Sequence, residues 1–128
     1  MKKRILVVDD EAHIVRIVKA RLEANNYEVL TAYDGLSGID NAVRFKPDLI
    51  LLDIMMPVMD GYEVCRRLKA DSMTSGIPII VFSATDQPSV IERITRAGAT
   101  DFIVKPFDGD VLIYEIGMIL NRRKGEEK

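Results

Sequence analysis

Five short runs of apolar residues recur along the chain, at Arg4 to Asp9, Tyr27 to Thr31, Leu49 to Asp53, Ile77 to Ser83 and Thr100 to Val104. Segments of helical length separate them. Strand-length runs alternating with such segments predict a βα repeat with a mainly parallel sheet. Leu49 to Leu52 contains no polar position, so it reads as a strand covered on both faces. Right-handed crossovers restrict the order of five such strands, and the doubly wound order 2-1-3-4-5 is expected for this α/β chain.

The intervening segments carry their own punctuation. Asp10 is placed to cap the first helix, whose apolar positions Ile14, Val15, Val18 and Leu22 repeat at helical spacing before Asn25-Asn26. Asp34 is placed to cap the second, with Leu36, Ile39 and Val43 expected to face inward and Pro47 beyond its end. Asp60 opens the third, with Glu63 three residues on as in a capping box and Val64, Cys65 and Leu68 inward. Asp86 precedes the fourth, which has Pro88 in its first turn, Val90, Ile91 and Ile94 inward, and Gly98 at its stop. The fifth is expected from Asp108 to about Arg123, with a charged tail over residues 123–128.

At 128 residues the chain suits one domain with a single core. No apolar run approaches a membrane span, and the Met-Lys-Lys-Arg start is followed too soon by Asp9-Asp10 to be a signal peptide. A cytoplasmic protein is expected. The single Cys65 lies at an apolar helix position and reads as a small core residue. A net charge of -2, with Arg122-Arg123-Lys124 offset by Glu126 and Glu127, argues against direct nucleic-acid binding.

In a doubly wound sheet the ligand site lies beyond the carboxyl ends of the strands, at the switch point between strands 1 and 3. Strand 1 ends in Asp9-Asp10-Glu11, strand 3 in Asp53, strand 4 in Ser83 and strand 5 in Lys105-Pro106. Each has a bland reading as a cap, a turn residue or a surface lysine. Their coincidence at one sheet edge outweighs those readings. Crowded carboxylates repel unless a hard cation takes their oxygens, and magnesium suits a site that must leave room for water and phosphate. A hydroxyl and an ammonium beside them are suited to phosphoryl oxygens. The set is therefore read as built for a phosphoryl group on Asp53, formed by in-line attack of its carboxylate.

Val-Val-Asp-Asp-Glu, Leu-Leu-Asp-Ile-Met-Met-Pro-Val-Met-Asp-Gly, Phe-Ser-Ala and Asp-Phe-Ile-Val-Lys-Pro-Phe together resemble the receiver domain of two-component response regulators, over almost the whole chain. The resemblance implies a flavodoxin-like (βα)5 fold, with residues 1–122 as the receiver domain. It also implies Asp53 as phosphoacceptor, Asp9 and Asp10 as the acidic pair holding magnesium with Asp53, and the main-chain carbonyl of Met55 as a further ligand. Ser83 would be the switching hydroxyl, Lys105 the phosphate-pairing lysine and Phe102 the switch aromatic, here without the hydroxyl of the tyrosine often found there. Pro57 and Gly61 would shape the loop after the acceptor, and Lys105-Pro106 would be cis. The apolar Met55 side chain cannot hold an attacking water, which implies a long-lived phosphoryl group.

The resulting expectation is a signalling switch rather than an enzyme, with only self-phosphorylation from a donor and autodephosphorylation as chemistry. A histidine kinase or phosphotransfer protein would load it. A downstream protein target, or a second copy, would meet the face made by the fourth helix, fifth strand and fifth helix. On that last helix Leu112, Ile113, Ile116, Ile119 and Leu120 should pack inward, while Val111, Tyr114 and Met118 form a second stripe facing solvent. A haloacid-dehalogenase phosphatase shares the aspartyl phosphate and magnesium, but it needs a second acid two residues after the nucleophile, where Met55 stands. His13, one turn into the first helix, reads as a solvated residue near the site rather than a phosphohistidine.

Overall fold

A computed structural model describes the backbone of residues 2–126 and the side chains of residues 2–122. The elements alternate as β1 (Arg4–Val8), α1 (Ala12–Ala24), β2 (Glu28–Ala32), α2 (Gly35–Phe45), β3 (Leu49–Asp53), α3 (Gly61–Ala70), β4 (Ile79–Ser83), α4 (Pro88–Arg96), β5 (Asp101–Val104) and α5 (Gly109–Glu126). All strand pairs are parallel and the sheet order is β2-β1-β3-β4-β5, as expected. The side chains of the charged tail 123–128 lie outside the described residues.

The period of two in each strand sorts the core into two layers. Leu6, Val8, Ile50, Leu52, Ile79 and Val81 face α2, α3 and α4, where Ala42, Val64, Leu68 and Ile94 meet them. Ile5, Val7, Leu49, Leu51, Ile80 and Phe82 face α1 and α5, where Val15, Val18, Leu22, Leu112 and Ile116 close the other side. Every residue of β3 and β4 is buried, so both strands are sandwiched between helices.

Asp34 and Asp60 cap as predicted, accepting the N–H groups of Ser37 and Glu63. Asp108 holds the start of α5 in the same way, through the N–H of Asp110 at 2.7 Å. Three local expectations differ. The residue before α1 is Glu11, and no side chain caps that helix. Glu63 makes no reciprocal capping-box bond, because the guanidinium of Arg66 takes its carboxylate at 2.8 and 2.7 Å. Leu36 is 60% exposed. Helix α2 turns small residues to the sheet instead: Gly35, Gly38 and Ala42 are its buried positions. A Cβ on Gly38 would lie 2.9 Å from a Val8 methyl, so close approach to β1 rather than apolar bulk seats this helix.

Candidate active site at the carboxyl edge of the sheet

The switch point between β1 and β3 is built by chain direction alone. Asp9 follows the last residue of β1 and Asp53 is the last residue of β3. Asp9 is fully buried and its N–H donates to the Ala32 carbonyl at 3.1 Å, which fixes the strand exit. One Asp9 carboxylate oxygen accepts the N–H of Glu11 at 3.0 Å. That bond bends the chain into α1 and leaves Asp10 outside the cap position predicted for it. Oxygens of Asp9, Asp10, Glu11 and Asp53 all lie within 4.8 Å of one another.

Lys105, just past β5, reaches across this acidic group. Its Nζ donates to Asp9 Oδ2 at 3.1 Å and to Asp53 Oδ1 at 3.3 Å, and stands 4.0 Å from Glu11. Burial works against the ammonium, but the carboxylates of Asp9 and Asp53 outweigh it, and the pKa of Lys105 rises. Burial and then the charge of Asp9 push Asp53 up to about 6, against the pull of Lys105 and the N–H of Met55. Asp53 is thus held above the usual carboxylate range by burial and a neighbouring like charge, against the pull of Lys105. The Lys105–Pro106 bond is cis, as the resemblance implied.

The loop after Asp53 is shaped by close approach. The Gly61 N–H donates to the Ile54 carbonyl at 2.8 Å. A Cβ at Gly61 would meet the Asp53 carbonyl oxygen at 2.4 Å and Ile54 Cα at 2.7 Å, so only glycine fits where α3 starts against the end of β3. Val58 in the same loop has φ 68° and is fully exposed. Met55 turns its side chain to solvent, while Met56 is buried.

Not every predicted residue points at Asp53. Ser83 is buried at the end of β4, but its hydroxyl donates to the Thr85 carbonyl at 2.7 Å and accepts the Thr85 N–H at 3.2 Å. Phe102 is half-buried against the layer that contains Val81 and Ile94. His13 is exposed, with Nε2 3.6 Å from Glu11. In the sequence Glu11 is only the last member of an acidic run; its proximity to Lys105 comes from the turn that Asp9 makes.

The family model for the response regulator receiver domain matches residues 5–117. The chain belongs to that family. It is a receiver domain of two-component response regulators, a family of phosphorylation-dependent signalling switches that hold magnesium at an acidic pocket. Such domains take part in signalling between histidine kinases and downstream effectors. This receiver is 46% identical over 124 residues to the response regulator PleD of Caulobacter vibrioides, covering 97% of this chain and 27% of that protein. It is 39% identical over 119 residues to the DNA-binding regulator RpaA of Synechocystis, covering 93% of this chain and 49% of that protein. The chain therefore spans between about a quarter and a half of these two relatives. Among solved structures it is similar to a CheY-like receiver domain protein from Methanospirillum hungatei, with a TM-score of 0.92 at 28% identity, covering 98% and 99% of the two chains. It is also similar to the chemotaxis response regulator CheY4 of Vibrio cholerae, with a TM-score of 0.88 at 30% identity, covering 93% and 99%. Nothing in these comparisons favours a phosphatase of the haloacid dehalogenase kind. Among the described residues no helix is long and apolar enough to cross a membrane.

Proposed function

We propose that Asp53 is the phosphoacceptor of this receiver and that its state is read out at the α4-β5-α5 face. The observation that carries the reading is the seat of Asp53: a buried carboxylate at a strand end, 3.3 Å from the Lys105 ammonium and inside a group of four acids. Asp9, Asp10 and Asp53 would hold magnesium with the main-chain carbonyl of Met55. The fit is favourable because the donors are all hard oxygens, and because, among the described residues, one close ammonium offsets the mutual repulsion of Asp9 and Asp53. The ion would supply positive charge for the oxygens of the phosphoryl group.

An Asp53 carboxylate oxygen attacks phosphorus in line, and the bond from phosphorus to the donor's nitrogen or oxygen breaks with its electron pair leaving on the donor. Ionised Asp53 is the competent form, so the balance that sets its pKa also sets its nucleophilicity. Lys105 then exchanges carboxylate oxygens for phosphoryl oxygens. Ser83 leaves the Thr85 backbone and donates its hydroxyl to the new group. That movement loosens the start of the β4-α4 connection, next to which Phe102 packs, and shifts an existing equilibrium between surface states. Phe102 has no hydroxyl, so its part is packing rather than a hydrogen bond.

The donor is a histidine kinase or phosphotransfer protein, and the receiver of the signal is a protein target, with homodimerisation through the same face as a further use. The protein works in the cytoplasm, does not itself contact nucleic acid, and has no chemistry beyond gaining and losing its own phosphoryl group. Acetyl phosphate with magnesium should add one phosphoryl group by intact mass spectrometry, and Asp53→Asn should take none. Equal labelling of the two proteins would overturn the assignment.

A further inference from the structure

Helix α4 is lightly anchored. Of its nine residues Ile94 alone is buried, and no side chain caps its N-terminal end. Val90 packs only partly against the core. Between α4 and α3 lies a groove of about 340 Å³, lined by Tyr62, Glu63 and Arg66 on one side and by Arg93 and Arg96 on the other. Ion pairing along it stays within each helix: Arg66 donates to Glu63 at 2.7 Å, and Arg96 pairs with Glu92 at 2.6 Å.

Arg93 crosses the groove. Its guanidinium carbon stands 3.8 Å over the centre of the Tyr62 ring. At that distance the planar cation lies in contact with the ring face, where the negative side of the aromatic quadrupole attracts it. Arg93 directly precedes Ile94, so the stack holds α4 at the level of its one buried anchor. The far end of the helix is seated as well. Gly98, at φ 103°, closes on the stem of Lys69 so tightly that a Cβ there would lie 2.6 Å from Lys69 Cγ.

Tyr62 is a firm post for this contact. It follows Gly61, whose N–H is bonded to the Ile54 carbonyl one residue past Asp53, and its ring is half-buried against the core layer that contains Val64 and Ile94. The ring is thus tied to the end of β3, and α4 is tied to the ring. The start of α4, beside the Ser83–Thr85 turn, has no comparable hold.

We propose that Tyr62 and Arg93 are a positioning pair, a latch that holds α4 in its resting place and sets how much of the protein reaches the active surface when Ser83 moves. This rests on reading Asp53 as the phosphoacceptor and α4-β5-α5 as the output face, and it adds what restrains that face. Two surface states in equilibrium are shifted by any contact made in one of them alone. A cation held on an aromatic face at a partly exposed site weights the resting state by about threefold.

The test is a double-mutant cycle on the whole chain with Tyr62→Leu, which keeps apolar bulk, and Arg93→Gln, which keeps length without charge. Arg66→Gln, in the same groove but outside the stack, is the control. Beryllium fluoride affinity is read from amide shifts in nitrogen-15 spectra, and hydrogen exchange of α4 amides is followed in the unliganded chain. Each single variant should bind beryllium fluoride about threefold more tightly and exchange its α4 amides faster. The double variant should do no more than either single one, since both remove the same contact. Arg66→Gln should match wild type. A lower melting temperature with unchanged beryllium fluoride affinity would show a merely structural contact and overturn the latch. So would additive effects of the two substitutions, or an equal response from Arg66→Gln. Beryllium fluoride binding that survives Asp53→Asn would overturn the reading of Asp53 instead, and the latch would then stand or fall on α4 exchange in the unliganded chain.

Discussion

Replacing Asp53 by asparagine should stabilise this protein at neutral pH in the absence of metal. Burial and the adjacent Asp9 raise the Asp53 pKa from an ordinary 3.8 to about 6. Folding therefore favours the protonated acid. The stability this gives is fully present below the unfolded pKa, near 4, and is lost as pH rises through the folded pKa near 6. About two units at ~1.36 kcal/mol each amount to roughly 3 kcal/mol lost between pH 4 and pH 7. For a chain of this size that is on the order of 10 °C in melting temperature. Asparagine keeps the shape and has no charge to bury, so its profile should lack this decline.

The assay is a series of thermal melts of both proteins from pH 4 to pH 7.5 with a chelator present. The curves should meet near pH 4 and separate by up to about 10 °C at pH 7, with Asp53→Asn on top. Glu115, whose pKa is also raised, is common to both proteins and cancels in the difference. Saturating magnesium favours the ionised carboxylate, so it should remove most of the wild-type decline and leave the variant little changed. Parallel profiles across the whole range would refute the account of a strained, buried carboxylate at this strand end.

Magnesium at ten times its dissociation constant should add ~1.4 kcal/mol to the wild-type stability, visible as a rise in melting midpoint, and Asp10→Ala should flatten that response. Gly61→Ala places a methyl 2.4 Å from the Asp53 carbonyl oxygen, and since backbone must yield, a loss of about 3 kcal/mol in denaturant melts and slower labelling by acetyl phosphate are expected. An alanine variant as stable as wild type would show that α3 does not need this close approach. Val58, a β-branched residue at φ 68°, sits in a conformation costing ~1–2 kcal/mol, so Val58→Asn should raise stability by about 1 kcal/mol; a loss of stability would mean that the exposed side chain is held by contacts absent from the fold.

The alternation of strand and helix was fully legible because it needs only apolar spacing and right-handed crossovers, and the same logic placed Asp9, Asp53, Ser83 and Lys105 at one edge. Helix faces were less legible. Hydrophobicity points Leu36 inward, yet α2 approaches β1 through Gly35, Gly38 and Ala42, and no rule of apolar content marks a face chosen for smallness. Capping failed at Asp10 for a related reason. The turn into α1 is made by the buried Asp9 carboxylate on the Glu11 N–H, a contact set by strand register rather than by the local motif.

Side-chain direction at the site divides along the range of the force involved. Lys105 could be placed at the shared edge from sequence, and charge attraction, which acts over several ångströms and tolerates imprecise geometry, then draws it onto Asp9 and Asp53. Ser83 could be placed at the edge but not aimed, because a hydroxyl takes whichever partner lies within about 3 Å, and the Thr85 backbone is nearer in sequence than anything on β3. In the proposed switch that difference would give an order of events. The lysine is already drawn towards Asp53, whereas the serine would have to give up two local hydrogen bonds to join a phosphoryl group there. Each such bond is worth about 1 kcal/mol net, so Ser83 would set an opposing term of roughly 2 kcal/mol that a charge-assisted bond to a phosphoryl oxygen has to exceed. On this proposal the active surface would be a minor population in the unphosphorylated protein and a larger one after transfer. Ser83→Ala removes both the opposing bonds and the phosphoryl contact. It should leave labelling of Asp53 within a few fold of wild type while abolishing the change in amide shifts that beryllium fluoride produces at Phe102 and along α4. A variant that labels normally and still shows those shifts would place the trigger somewhere other than Ser83.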